Sequence, residues 1–198
     1  MTWPVTLSHG PVGLRPLRQR DAGRWRELRV ANREWLQPWE ATPPDPSVPA
    51  LTFRRMVRQL SQEARAGRAL PFAITYRGEM VGQLSVAGIA WGSLCSGHVG
   101  YWVSRHVAGR GIAPTALALA SDYCLLSMGL HRVEVNIRPE NAASLRVVAK
   151  LGLRDEGVRR GYLHIDGAWR DHRTFAVTRE DLGPGGLLAR LTDVHPVG

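Results

Sequence analysis

Two glycines one residue apart, Gly109 and Gly111, stand between an apolar run, Val99–Val103, and a segment of strong helix formers from Ile112 to Ala120. Pro114 falls in the first turn of that segment, where its missing N–H is not needed. The pattern reads as strand, Gly-rich loop and helix N-terminus. Such a loop points free N–H groups and the positive end of a helix dipole at one spot. That spot suits a phosphate or pyrophosphate, and glycine lets the backbone approach the anion with no Cβ in the way. The Walker pattern is absent, because no Gly-Lys-Ser/Thr follows. The dinucleotide fingerprint also fails, since Pro114 stands where its third glycine belongs. Cys95 and Cys124 make no metal or redox spacing, and no histidine spacing calls for a metal. Asp171 and His172 are neighbours on a strand pattern, so they point to opposite faces and read as turn-stabilising rather than as a proton relay.

The segments that must position this loop follow in order. Val12 to Leu17 alternates as a first strand, and Asp21 is placed to cap a helix carrying Trp25, Leu28 and Val30. Leu36 to Glu40 packs two apolar rings or chains, a proline and a carboxylate together, and the prolines from 43 to 49 mark a loop. Phe53, Met56, Val57 and Leu60 recur at helical spacing and predict an amphipathic second helix. Leu70–Tyr76 and Met80–Ile89 predict a hairpin about Arg77-Gly78-Glu79. His98–Val103 is the strand entering the glycine loop, and the helix beyond it runs to about Met128, with Gly129 as its C′ residue. His131–Ile137 is another strand. Asn141, suited to an N-cap, opens a helix ending near Leu151-Gly152. Two more strands, Arg154–Ile165 and Trp169–Val177, are joined by an Asp166-Gly167 turn. Residues 1–182 read as one domain and 183–198 as a loose C-terminal tail, in which Leu187 to Leu191 has the makings of a short helix.

The order β-α-α-β-β-β-α-β-α-β-β predicts an α/β (α+β) chain: a mixed sheet of about seven strands with helices on both faces. At 198 residues one core is sufficient, and 44% hydrophobic content is that of an ordinary globular chain. No apolar run approaches the ~20 residues needed to span a bilayer, and the N-terminus lacks a signal-peptide pattern, so a cytoplasmic setting with reduced thiols is expected. The net charge of +9 is carried almost wholly by arginine, Lys150 being the one lysine. That field favours anionic ligands. The arginines are spread along the chain, so direct specific nucleic-acid binding is not expected.

Val99-Gly100-Tyr101-Trp102-Val103 followed by Gly109-Arg110-Gly111-Ile112-Ala113 resembles the acetyl-CoA loop of the GCN5-related N-acetyltransferase (GNAT) family, Arg/Gln-x-x-Gly-x-Gly/Ala. Gly111 and Ala113 match the last two fixed positions, while the first falls on Ala108. Asn136 to Ser144, with Val148, Lys150 to Leu153 and Glu156-Gly157, resembles the second CoA-side motif of the RimJ/RimL-like ribosomal-protein branch. The run Tyr162 to His172 is similar to the C-terminal hairpin of its RimJ-type members. The resemblance covers about residues 11 to 180. It implies the GNAT fold, a mostly antiparallel sheet in which two parallel strands splay apart around a pantetheine arm. Here those would be the strands about Tyr101 and Val135. It implies acetyl-CoA as cosubstrate, no metal, and an acceptor that is the N-terminal α-amine of a ribosomal protein, most closely the alanine of a small-subunit protein.

The resemblance also implies the site residues. Trp102, Val103, Ala108, Gly109, Arg110, Gly111, Ile112, Ala113, Asn141 and Ser144 would hold acetyl-CoA, with Ser144 donating to the departing sulfur. Trp39 and Glu40 would form the acceptor pocket, Glu40 binding or deprotonating the amine, and Glu134 is the second choice for that role. The family's tyrosine acid four residues past the serine is replaced by Val148. The glutamate that serves RimL-type enzymes as base is replaced by Leu163. An α-amine of pKa ~7.7–8.0 is already partly neutral near pH 7, so a strong base is not required. Direct attack in a ternary complex is expected. Two other readings stay open: transfer to a small amine or another protein, and a non-catalytic CoA-binding sensor or assembly factor. Either a monomer or a homodimer is compatible with the sequence.

Overall fold

In the computed structural model, residues 3–45 and 47–192 are described; the expectations for Pro46 and for residues 193–198 lie outside them. Eight strands form one sheet: β1 (Leu7–His9), β2 (Val12–Pro16), β3 (Leu70–Tyr76), β4 (Glu79–Ala90), β5 (Ser96–Val103), β6 (Arg132–Ile137), β7 (Arg154–Ile165) and β8 (Ala168–Thr178). Their spatial order is β1-β2-β3-β4-β5-β6-β8-β7, and every neighbouring pair is antiparallel except β5 and β6. One strand more than the expected seven is present. β1 is a three-residue edge pairing with β2, too short to leave an alternation in the sequence.

The parallel pair is brief. β5 and β6 are in register only at Ser96↔Arg132, Gly97↔Val133 and His98↔Glu134. Beyond that point β5 continues to Val103 and β6 to Ile137 without pairing, so the sheet opens between them. Strand alternation then sorts the side chains of β5. Tyr101 packs against the large core, and the adjacent Trp102 packs against a smaller one on the opposite face.

Helices cover both faces. α1 (Ala22–Ala31) and α3 (Phe53–Arg65) pack on the smaller cluster of Leu17, Leu28, Val57, Ala73 and Met80, and the short α2 (Arg33–Leu36) follows α1. Thr52 caps α3, its hydroxyl accepting from the Arg55 N–H, and Val57 is buried while the arginines take the outer face. On the other face lie α4 (Ile112–Asp122), α5 (Ala142–Lys150) and α6 (Gly186–Thr192). α4 is apolar nearly all round, with Ala116, Leu117, Ala118 and Ala120 buried, because it is enclosed between the sheet and α6. It passes into a wider π-helical turn over Tyr123–Met128, and Gly129 closes it at φ 83°.

Two expectations are corrected. Asp21 makes no side-chain cap on α1. Its carboxylate instead takes both ends of the Arg15 guanidinium at 2.8 Å and the Arg18 N–H at 2.8 Å. Burial raises its pKa, but those partners outweigh burial and hold it below the usual carboxylate value. The tail after 182 is not loose through residue 192. Leu187 is fully buried in the main core, and the Asp122 carboxylate accepts the N–H groups of Leu187 (2.7 Å) and Leu188 (3.0 Å). Arg190 also donates to the Leu151 carbonyl at 2.6 Å.

Candidate active site

The opening between β5 and β6 lies in the wall of a cavity of about 880 Å³ that reaches both faces of the sheet. This is within the range of small-molecule sites, roughly 300–1,000 Å³. On one side its walls are the glycine loop, the start of α4 and α5; on the other they are Trp25, Arg29, Trp35, Trp39, Glu40 and Met56.

The loop side is built on backbone. Gly109 and Gly111 adopt φ 80° and 74°, and an added Cβ on either would meet open space. Gly111 is the N-cap of α4 and no side chain caps it. Among the described residues, the backbone N–H groups from Gly109 to Ala113 donate to no other group of the chain, and Pro114 has none. A cluster of free donors at the positive end of a helix is an anion site. Its position is fixed from α1. Buried Asn32 donates to the Leu28 carbonyl and the Ser104 hydroxyl, both at 2.7 Å, and accepts the Arg105 N–H at 2.8 Å. Trp35 Nε1 donates to the Val103 carbonyl at 3.2 Å.

α5 completes the loop side. Asn141 caps it, its side chain accepting the Ser144 N–H at 3.0 Å. The cap aims the first turn of α5, with Ala142, Ala143 and Ser144, at the cavity. The Tyr101 hydroxyl is cut off from solvent, faces Ser144, and makes no hydrogen bond of good geometry. Burial pushes its pKa up to about 12, against a smaller downward pull from Ser144.

The far side is aromatic and charged. Arg29 lies 5.5 Å over Trp25 and 5.7 Å over Trp102, and is ion-paired with Glu40. Arg138 stacks 5.6 Å over Trp39 and donates to the Pro38 carbonyl at 2.7 Å. Trp25 Nε1 donates to Gln83 Oε1 at 2.9 Å. The segment carrying Glu40 is tied to the tip of the β7–β8 hairpin. Ala41 bridges Ile165, the Thr42 N–H donates to the His164 carbonyl at 2.9 Å, and Gln37 donates to Asp166 at 3.2 Å.

Of the residues expected from the sequence, Trp39, Glu40, Trp102, Val103, Ala108, Gly109, Gly111, Ile112, Ala113, Asn141 and Ser144 all line the cavity. Arg110 is exposed and Glu134 lies elsewhere; neither lines it. Glu134 is engaged by Arg132 at 2.9 Å and Arg159 at 2.8 Å, so its carboxylate is neutralised on the sheet surface. Asp171 and His172 also lie outside. Asp171 accepts the Gly161 N–H at 2.8 Å, and His172 is buried beside Tyr162 with the Arg170 carbonyl 3.1 Å from Nδ1. Trp25, Arg29, Trp35 and Gln83 were not named as site residues from the sequence, because a tryptophan or arginine on a helix, or a glutamine on a strand, carries no motif; Tyr101 falls within the loop motif but was given no role.

A family model described as an acetyltransferase (GNAT) domain matches residues 12–154. The chain belongs to the GNAT acetyltransferase family. The structure of RimJ from Mycobacterium smegmatis in complex with CoA-disulfide superposes with a TM-score of 0.89, at 42% identity, covering 96% of this chain and 94% of that one. The Escherichia coli [ribosomal protein uS5]-alanine N-acetyltransferase is 29% identical over 183 residues, 91% of this chain and 94% of its own. The Vibrio fischeri ribosomal-protein-S5-alanine acetyltransferase structure is 26% identical with a TM-score of 0.80, covering 91% of this chain and all of that one. The GNAT domain therefore supplies the frame for the free N–H cluster, and the protein is an acetyltransferase. Among the described residues no helix is long and apolar enough to cross a membrane.

Proposed function

We propose that this GNAT enzyme transfers acetyl from acetyl-CoA to the N-terminal α-amine of a ribosomal protein, the alanine of a small-subunit protein being the first candidate. The observation that carries the reading is the single cavity with two chemically different walls meeting at the opening of the sheet. The 42% identity to a RimJ over nearly the whole chain supports the choice of acceptor.

The residues present fit a CoA. The uncapped N–H groups at Gly109–Ala113 suit its pyrophosphate, and Ser144, in the first turn of α5, lines the same cavity. Acetyl-CoA supplies a thioester, an acyl group activated towards amines. Gly109, Gly111, Ile112, Ala113 and Asn141 hold it, and Ser144 donates to its sulfur. On the other wall Trp39 and Trp102 enclose the acceptor's first residue. Glu40, fixed by Arg29, draws the α-ammonium in and takes its proton, directly or through water. Holding amine and thioester in one cavity supplies up to ~7–11 kcal/mol of the barrier reduction through proximity. The amine nitrogen bonds to the thioester carbon, the C–S bond breaks, and sulfur leaves with the electron pair. No acyl-enzyme is needed, and no cysteine is placed for one. Neither Cys95 nor Cys124 lines the cavity, and burial pushes the Cys124 thiol up to about 12.

The test is thiol release from acetyl-CoA with and without a peptide copying the N-terminus of the small-subunit protein, with the acetylated atom located by mass spectrometry. Peptide-dependent release and acetylation of the α-amine are expected. Tight CoA binding with release driven only by small amines would overturn the choice of acceptor.

A further inference from the structure

The arginines are spread along the sequence, but on the folded surface their charge is uneven. At the β6-β8-β7 end of the sheet they are matched: Arg132, Arg154, Arg159 and Arg173 pair with Glu134, Glu156, Asp155 and Asp181. On α3 they are not. Arg54, Arg55, Arg58 and Arg65 are all exposed, and among the described residues none of the four side chains has a hydrogen-bond or ion-pair partner. The one carboxylate of the helix, Glu63, is held by Arg68 at 2.6 and 2.9 Å. At 3.6 residues per turn, Arg54, Arg58, Ser61 and Arg65 fall within roughly 60° of arc, a stripe about 16 Å long, with Arg55 and Gln62 on its flank. The stripe lines a second cavity, of about 540 Å³, to which Gln19 contributes and no acidic or apolar residue does. Like charges three and four residues apart destabilise a helix, so Arg58 with Arg54 and Arg55 works against the element that carries them.

We propose that this stripe of α3 is a docking surface for RNA, gripping the phosphate backbone without reading its sequence. The binding itself stands apart from the chemistry; its use in presenting an acceptor rests on the acetyltransfer reading above. Unpaired guanidinium forks match phosphate oxygens two at a time. The neutral groups beside them favour RNA over DNA. Gln19 Nε2 donates to the Arg54 carbonyl at 2.9 Å, which leaves its Oε1 unpaired, and the Gln62 amide is unpaired as well. A 2′-hydroxyl is the donor that such acceptors find on RNA and not on DNA. A membrane surface fits less well, because an interfacial helix needs a free apolar face. That face of α3 is taken: Val57 is buried in the smaller cluster, and Phe53 and Met56 pack against it. Met56 also links the stripe to the active site. It lines the larger cavity from the opposite side of the helix, so RNA on the stripe lies about one helix diameter, roughly 10–12 Å, from the acceptor wall. An N-terminus emerging from a protein–RNA particle would thus reach that wall while the particle is held on α3.

The test uses the full chain without acetyl-CoA, so that docking is measured apart from transfer. A fluorescent single-stranded RNA of mixed sequence is titrated at several salt concentrations and followed by anisotropy. Four phosphate contacts on a single strand predict that the logarithm of the association constant falls against that of salt with a slope of about −2.8. Arg58→Gln combined with Arg65→Gln should halve the slope and weaken binding about tenfold or more at low salt. Arg58→Lys with Arg65→Lys should keep the slope. The charge-matched control is Arg160→Gln with Arg179→Gln, two exposed arginines at the β8-β7 end of the sheet, away from β3 on which α3 packs. It should bind RNA nearly as the wild type does. Removing like charges from α3 should leave its melting temperature unchanged or raised, so the variants stay folded. DNA of the same sequence should bind more weakly. Equal weakening in the two Gln double variants would overturn the proposal, because the field of the whole chain and not the stripe then holds the RNA. DNA, polyglutamate or anionic vesicles bound as tightly as RNA would overturn RNA as the occupant. No RNA binding by the wild type would overturn the docking surface alone if peptide-dependent thiol release persists. RNA binding without any peptide acetylation would uphold the docking surface and overturn the acetyltransfer reading.

Discussion

Replacing Gly111 by alanine separates what the loop does for the fold from what it does for a ligand. At φ 74° an alanine sits in the left-handed region, which disfavours a Cβ by about 1–2 kcal/mol. An added Cβ meets no atom within 4 Å, so strain is the whole structural cost. For a chain of this size that amounts to a fall in Tm of about 2–8 °C. The internal control is Gly129, at the other end of the same helical stretch. It has φ 83°, also has nothing within 4 Å of its Cβ, and does not line the cavity. Gly129→Ala should lose about the same stability. Only Gly111→Ala should lose CoA. A charge-assisted bond from backbone N–H to phosphate contributes about 1.5–3 kcal/mol, so Kd should rise about 10- to 150-fold. Thermal melts and calorimetric titration of CoA into both variants give the two numbers. Equal loss of CoA affinity in both variants would refute the loop as the phosphate cradle. So would unchanged affinity in Gly111→Ala.

Three further perturbations probe other parts of the argument. Glu40→Gln keeps the shape but removes the charge that Arg29 faces; kcat/KM for the peptide should fall about tenfold or more while CoA affinity holds, measured by steady-state kinetics. Asn32→Ala leaves the Ser104 hydroxyl and the Arg105 N–H without their buried partner, and chemical denaturation should show a loss of about 2–4 kcal/mol. Asp122→Ala removes the acceptor of two α6 N–H groups. It should cost about 1–2 kcal/mol and speed hydrogen exchange at Leu187 and Leu188. Asp122→Asn gives the pH dependence. Burial raises the Asp122 pKa above its ordinary 3.8, so the folded state holds that proton more tightly than the unfolded one. Wild-type stability should therefore gain on Asp122→Asn as pH falls through the raised pKa, and lose that gain as pH rises through it.

How much of this was written in the chain depends on whether a feature has a local period. The strands of the core alternate, and Val133, Val135 and Ile137 are buried as their spacing requires. The glycine loop is legible because φ near 75° is a property of single residues. Asn141 capped its helix as its type suggests. The illegible parts depend on register between distant segments. Glu134 sits mid-strand beside the opening, but Arg132 and Arg159 meet it there, and Arg159 comes from a strand 25 residues on. The tryptophans walling the far side come from α1, α2 and the turn after it, where a large ring reads as core. The docking of α6 depends on Asp122, 65 residues away from Leu187. The conspicuous run Tyr162–His172 acts at a distance too: its tip holds the Glu40 segment through Ala41, Thr42 and Gln37.

The cavity that opens on both faces of the sheet also bears on the order of events. Two reactants arriving from opposite sides do not block each other's doorway. Sterics alone then impose no sequence of binding, and either product is free to leave first. A bisubstrate inhibitor, with peptide and CoA joined through the sulfur, faces a different problem. It is wide at the nucleotide end and must thread its narrow peptide end through the gap between β5 and β6. Such a compound should associate slowly and, once through, dissociate slowly. Its affinity would then be set by the passage as much as by its contacts, and would be underestimated by any assay read before equilibrium.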